Sequence, residues 1–298
     1  MFYGLSAFPL SPLRDGKVDE KSFLKILNRL VTTKVDSIGV LGSTGSYMYL
    51  SKDERRKILE LSMDAAGDIP VIAGIGGLTT RDVLNFAEDA QKHGASAVLL
   101  APVSYQSLTE NEVYEMYKSV TSSLSVPLCI YDNPGTTHFE FSDLLYSKIS
   151  SLPQVGAIKI PGISLDIEAA KLRMATIRKF VTADVKIGIS GDSCAAIGLT
   201  AGCDLWFSVI GGLFPEIALG IAKAIRSGNV AEGLSISSSL SKLWAMFDKY
   251  GGSLRVISAA AELIGVAGEN SLPLPILPIS KSDRVYLMDI LNELNVVK

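Results

Sequence analysis

The chain is poor in the residues that build disulfide frameworks and histidine-ligated metal sites. Its 298 residues include three cysteines and two histidines. Cys129, Cys194 and Cys203 are odd in number, far apart and set among apolar neighbours. They read as small buried hydrophobes in a reducing cytoplasm, not as disulfide or zinc partners. His93 and His138 have no second ligand at metal spacing, so no metal cofactor is expected. A basic cluster able to neutralise a run of phosphates is missing too, and the net charge is -3, which argues against nucleic acid as a partner. No uninterrupted apolar stretch reaches the length of about 18 residues that a membrane span needs. The first residues, MFYGLSAFPLSP, carry neither the charged start nor the long apolar segment of a secretion signal.

What is abundant is apolar residues, 48% of the chain against 20% charged, enough for a large core. Short apolar runs recur along it: GLSAF (4–8), SIGVL (37–41), VIAGI (71–75), AVLLA (97–101), LCIYD (128–132), GAIKI (156–160), VKIGIS (185–190) and LWFSV (205–209). Between them lie segments of helical period with helix punctuation. SKDERRKILELSMDAA (51–66) opens on Ser51 with Glu54 three residues on, a capping box. TTRDVLNFAEDAQKHG (79–94) runs from a threonine to Gly94, and 109–124 and 141–151 repeat apolar residues at three and four spacing. Eight strand–helix units predict a closed (β/α)8 TIM barrel over residues 1–227. Residues 228–298 lack strand patterns and read as a C-terminal helical extension packed on the barrel.

Barrel enzymes carry their chemistry at the carboxyl ends of the strands. Those ends read LGSTGSY, GIGGLTT, APVSY, IYDNPGTTH, IKIPG, ISGDS and FSVIGG, a rim crowded with glycines, hydroxyls and tyrosines. The sixth run, QVGAIKIPG (154–162), places Lys159 at the end of an apolar strand. A buried charge costs several kcal/mol (about 3 or more) unless paired, and no acidic residue lies inside these strands, short of the closing Asp132, to pair with it. Side chains alternate across a strand, so Lys159 shares a face with Ala157 and Val155, and Tyr131 shares one with Cys129. With the bulky aliphatics facing the helices, Lys159 and Tyr131 both point inward on strands about 4.8 Å apart. Lys186 serves as a control. It opens its strand, roughly 13 Å from Ser190 at about 3.3 Å per residue, and so lies at the wrong end.

A lysine amine at a dry strand end, ringed by hydroxyls, suits attack on a ketone or aldehyde to form a Schiff base. Only about one lysine in a few thousand is neutral at pH 7 at the reference pKa of about 10.4, and removal from water raises that fraction. GIGG (74–77) is too short for a dinucleotide fingerprint, and the stretch GSTGS (42–46) is not a phosphate-binding P-loop. Its hydroxyls and backbone N–H groups suit a carboxylate, and an ordinary turn fits the same residues.

Taken together, GSTG, YDNP, the lysine of AIKIPG and SGD, in that order, resemble the dihydrodipicolinate synthase / N-acetylneuraminate lyase family, and the resemblance runs over nearly the whole chain. It implies a cytoplasmic class I pyruvate aldolase with no cofactor beyond the covalent imine, assembled as a homotetramer, a dimer of dimers. Lys159 would bond to the keto carbon of pyruvate or another 2-oxo acid. Tyr131 would shuttle protons, Ser43 and Thr44 would hold the carboxylate with Ser43 relaying to Tyr131, and Tyr105 would complete the relay, in some members from a neighbouring subunit. Thr136, Gly191, Asp192 and Ser208 would line the place of the second substrate, an aldehyde.

The sequence also departs from the family pattern. Ser46 stands where Glu usually follows the glycine loop, Asp132 stands where Asn is usual, and Thr136 replaces the arginine that in lysine-pathway synthases binds a carboxylate of the aldehyde partner. The expected activity is therefore a lyase joining or cleaving pyruvate and an aldehyde. A 2-oxo-3-deoxy sugar-acid aldolase or dehydratase (with Asp132, Thr136 and Thr137 on the hydroxyls) and 4-hydroxy-tetrahydrodipicolinate synthase proper stand as alternatives. A non-catalytic 2-oxo acid binding protein is the reading from outside enzymology.

Overall fold

The computed structural model describes residues 1–297, so Lys298, the last residue of the expected extension, lies outside the described residues. Eight parallel strands close into a barrel: β1 (Gly4–Ala7), β2 (Ser37–Val40), β3 (Val71–Gly74), β4 (Ala97–Leu100), β5 (Leu128–Tyr131), β6 (Val155–Ile160), β7 (Lys186–Ile189) and β8 (Leu205–Ser208). Each strand pairs with its sequence neighbours, and β8 closes on β1. The (β/α)8 expectation holds, with strand ends displaced by about a residue.

Helices cover the outside, and their ends follow the sequence punctuation. The helix Lys52–Ala66 is capped by a reciprocal box between Ser51 and Glu54, and Glu110–Thr121 by one between Thr109 and Glu112. Thr79 and Ser142 cap Thr80–Lys92 and Asp143–Ser150. After the barrel helix Pro215–Arg226 come Val230–Ser239, Ser241–Lys249, Leu254–Leu263 and Lys281–Glu293. The segment 229–250, whose apolar pattern runs on without a break, divides at Leu240. Among the described residues no helix is long and apolar enough to cross a membrane.

Two apolar clusters follow from strand alternation. Leu128, Ile130, Ile158 and Ile160 belong to the layer between barrel and helices, while Cys129, Tyr131 and Ala157 belong to the barrel interior. Val155 departs from the sequence reading, because it packs in the helix-side layer and not with Lys159. The pairing shifts there: Leu128 stands opposite Val155 but Cys129 opposite Ala157, so Gly156 is an extra residue that reverses the alternation below it. Above the shift Tyr131 pairs in register with Lys159. Lys186, at the opposite end of the barrel, is exposed and lies 3.8 Å from Asp204. All three cysteines are free and buried.

Candidate active site

At the carboxyl ends of the strands opens a cavity of about 760 Å³, within the range of small-molecule sites. Lys159 rises from β6 into it and is 4% exposed. Its Nζ lies 4.0 Å from the ring centre of Tyr131, 4.1 Å from that of Phe8 and 5.6 Å from that of Phe207. None of the ion pairs among the described residues uses it. Aromatic faces carry partial negative charge, so the rings replace some lost hydration without fixing the amine to a carboxylate.

Room for those rings comes from missing side chains. A Cβ on Gly39 would sit 2.2 Å from the Phe8 ring, and one on Gly188 would sit 2.3 Å from that of Phe207. Phe8 and Phe207 pack edge to face, with centres 5.8 Å apart. Neither phenylalanine was singled out from sequence, although both sit at strand ends in the inward phase.

Around the amine lies a hydroxyl network. The loop after β2 turns through Leu41 and Ser46, both at positive φ (58° and 53°), and sets Ser43, Thr44 and Ser46 along the cavity wall. Ser43 Oγ lies 3.4 Å from Tyr131 Oη, where either hydroxyl can donate. Asn133 joins them, its Nδ2 donating to Tyr131 Oη at 2.9 Å and to Ser43 Oγ at 3.3 Å. This asparagine is a site residue that the sequence reading passed over. Its amide hydrogens occupy lone pairs on both oxygens, so that one hydroxyl proton joins the pair and the other is free to point elsewhere. Thr44 is buried, and its hydroxyl has no hydrogen-bond partner among the described residues.

The other expected residues fall out unevenly. Thr136 lines the cavity from the short turn Pro134–Thr137, as does Gly191, at φ 85°, after β7. Asp192 also lines it, but its carboxylate is committed. Oδ1 accepts from Trp206 Nε1 (3.0 Å) and Val209 N (3.1 Å), and Oδ2 from Ile210 N (2.7 Å). Burial pushes Asp192 up to about 6, against those donors. Ser208 does not reach the cavity. It is fully buried, and its Oγ accepts from Gly211 N at 2.8 Å. Tyr105 is 91% exposed on the loop after β4 and does not line the cavity of its own chain.

Asp132 and Thr137, expected to meet hydroxyls in the sugar-acid alternative, lie behind the wall. Asp132 alternates with the inward Tyr131, so it points toward the helix layer and accepts from Tyr146 Oη. Its other oxygen is buried without a partner, and burial raises it to about 6. Thr137 Oγ1 donates to Asn133 O at 3.1 Å.

An amine held from water without an acidic partner, beside a phenol linked to a second hydroxyl, is equipped for imine chemistry, and with this barrel it places the chain among the class I, Schiff-base-forming lyases. The model of the dihydrodipicolinate synthetase family matches residues 1–294, and the chain belongs to that family. The solved structure of dihydrodipicolinate synthase from Agrobacterium tumefaciens is 40% identical, with 98% of each chain covered and a TM-score of 0.94. That of the Thermotoga maritima dihydrodipicolinate synthase is 25% identical, with 99% of each chain covered and a TM-score of 0.90. A 4-hydroxy-tetrahydrodipicolinate synthase of Nitrobacter hamburgensis is 30% identical over 94% of this chain and 92% of its own length.

Proposed function

We propose that the protein makes or breaks a carbon–carbon bond between pyruvate and an aldehyde through an imine on Lys159. The observation that carries the reading is the unpaired, buried Lys159 Nζ at 4.0 Å from the Tyr131 ring, with Tyr131 linked to Ser43. In the condensing direction the neutral amine adds to the keto carbon of pyruvate. Tyr131 donates a proton to the departing hydroxyl, and loss of water gives the imine. Removal of a methyl proton gives the enamine, whose carbon attacks the aldehyde. The aldehyde oxygen takes up a proton, and water then hydrolyses the new imine and frees the lysine. Tyr131 and Ser43 pass protons at each stage, with Asn133 holding both oxygens by its amide. Ser43 and Thr44 receive the pyruvate carboxylate.

Borohydride reduction in the presence of pyruvate tests this. A stable adduct on the peptide containing Lys159 is the expected result, and its absence under conditions that trap a known class I aldolase ends the proposal. A panel of 2-oxo-3-deoxy acids, scored for pyruvate release, separates cleavage from dehydration.

Dihydrodipicolinate formation is the second reading, favoured by the names of the relatives. Thr136, on the cavity wall at the position where the pattern of lysine-pathway synthases has arginine, weighs against it. Assay with pyruvate and aspartate semialdehyde decides between them.

The same reading includes a cytoplasmic homotetramer, a dimer of dimers, in which Tyr105 completes the relay of a neighbouring subunit. It is supported by the exposure of Tyr105 outside the cavity of its own chain. Mixing inactive Lys159→Ala and Tyr105→Phe chains, with exchange of subunits, restores activity if the tyrosine crosses and restores none if it does not.

A further inference from the structure

The cavity wall opposite the barrel is made by the helical extension. Phe247, Asp248, Gly251, Gly252, Leu254 and Arg255 face the same space as Lys159. Among the lining residues, Lys159 and Arg255 are the cationic side chains. Arg284, on the last helix, is spent on Glu262 at 2.6 Å. Arg255 has no ion-pair or hydrogen-bond partner among the described residues, although Asp248 lines the same wall and is itself unpaired.

Local structure makes this arginine costly. It is the second residue of the helix Leu254–Leu263, whose first turn contains no acidic residue and has no side-chain cap. A cation at that end meets the positive pole of the helix, and uncapped N–H groups add to the same potential. Gly251 and Gly252, at φ 63° and 144°, turn the chain sharply from Ser241–Lys249 so that this end reaches the cavity. A first turn with unanswered positive charge brings no benefit to the fold, but it receives an anion well. The same cavity is independently marked as a ligand site by Lys159 and Thr44, both more than nine-tenths buried and without polar partners.

We propose that Arg255 binds a second anionic group at the far end of the substrate, so that the enzyme acts on 2-oxo acids carrying a carboxylate or phosphate remote from the keto end. This rests on the imine reading, which assigns Lys159 to the keto carbon and leaves Arg255 as the cation available for binding. The extension thereby supplies the charge that the barrel gave up at Thr136. Asp248, unpaired on the same wall, accepts from hydroxyls along the chain between the two ends.

The test compares 2-oxo acids that differ only at the far end. Borohydride trapping at Lys159 is titrated with 2-oxoadipate against 2-oxohexanoate, and with 2-oxo-3-deoxy-6-phosphogluconate against 2-oxo-3-deoxygluconate. In the wild type the member of at least one pair that carries the second, far-end anion half-saturates at a concentration lower by about tenfold, the scale of one charge-assisted hydrogen bond. Which pair responds identifies carboxylate or phosphate. Arg255→Ala brings that ratio close to one, and Arg255→Lys recovers part of it. A wild-type ratio near one in both pairs overturns the proposal whether or not the variants fold, as does a ratio that Arg255→Ala leaves intact. Absence of any pyruvate adduct in the wild type overturns instead the imine reading, and this proposal with it.

Discussion

Tyr131 and Lys159 face one another in register on adjacent strands, the amine nitrogen 4.0 Å from the centre of the phenol ring. The ring is therefore both a cushion for the nitrogen and the carrier of the hydroxyl that meets Ser43 and Asn133. On the imine reading, burying an amine here without a carboxylate is a cost borne by the fold for the sake of a nucleophile. Lys159→Met keeps the volume and removes the polar group. It should abolish borohydride trapping while leaving thermal stability unchanged or higher, by about 1 kcal/mol or more. Calorimetric unfolding beside the trapping assay checks both. A marked loss of stability would mean that Lys159 holds the barrel together.

Tyr131→Phe separates the two uses of the ring. The phenyl face remains under Nζ, but the hydroxyl that accepts from Asn133 and meets Ser43 is gone. Turnover should fall by about 10² to 10⁴, the scale of a lost general acid–base, with a much smaller change in unfolding temperature. Asn133→Leu leaves the phenol but frees its orientation, and a smaller loss in kcat than Tyr131→Phe is expected. Steady-state kinetics of both variants, with circular dichroism melts, give the comparison.

Much of this site was legible because barrel geometry converts strand parity into position. Lys159 and Tyr131 were placed by alternation and by the rule that chemistry sits at the strand ends. Val155 escaped because a pairing shift is a property of two strands, invisible in the period of one. Phe8 and Phe207 went unnoticed because their role depends on Gly39 and Gly188, far away in sequence. Asn133 lay one residue from Asp132, which drew attention as the departure from pattern yet points away from the cavity. Arg255 was unreadable for a different reason. No periodicity in a helical tail states which of its turns will overhang the barrel mouth.

Asp192 lines the cavity, as expected, and its carboxylate is at the same time a structural acceptor. Its two oxygens take three donors, the Trp206 indole of β8 and the Val209 and Ile210 amides that follow the strand, tying β8 and its exit to the end of β7. Asp192→Ala strands those donors and should cost about 3 to 5 kcal/mol of stability. Asp192→Asn keeps one acceptor and should lose less. In chains still folded at the assay temperature, KM for the aldehyde should move little. A large rise in KM with unchanged stability would restore a direct substrate contact.

Asp132 carries a pH signature of the opposite sign to an ordinary surface carboxylate. Burial raises its folded-state pKa to about 6, whereas an unfolded aspartate titrates near 4. Between about pH 4 and pH 6 the folded chain therefore holds the proton more often than the unfolded one. The stabilisation from this group is fully present below about pH 4 and is lost as pH rises through about 6. Asn cannot ionise, and its side-chain oxygen still accepts from Tyr146. The unfolding free energy of wild type minus that of Asp132→Asn should thus decline from pH 4 to pH 7 and be flat above. Because Asp192 and the surface carboxylates are common to both proteins, the difference isolates this one group. Urea titrations across that range measure it, and a difference that grows with pH would show Asp132 to be stabilised as the anion, contrary to its unpartnered oxygen.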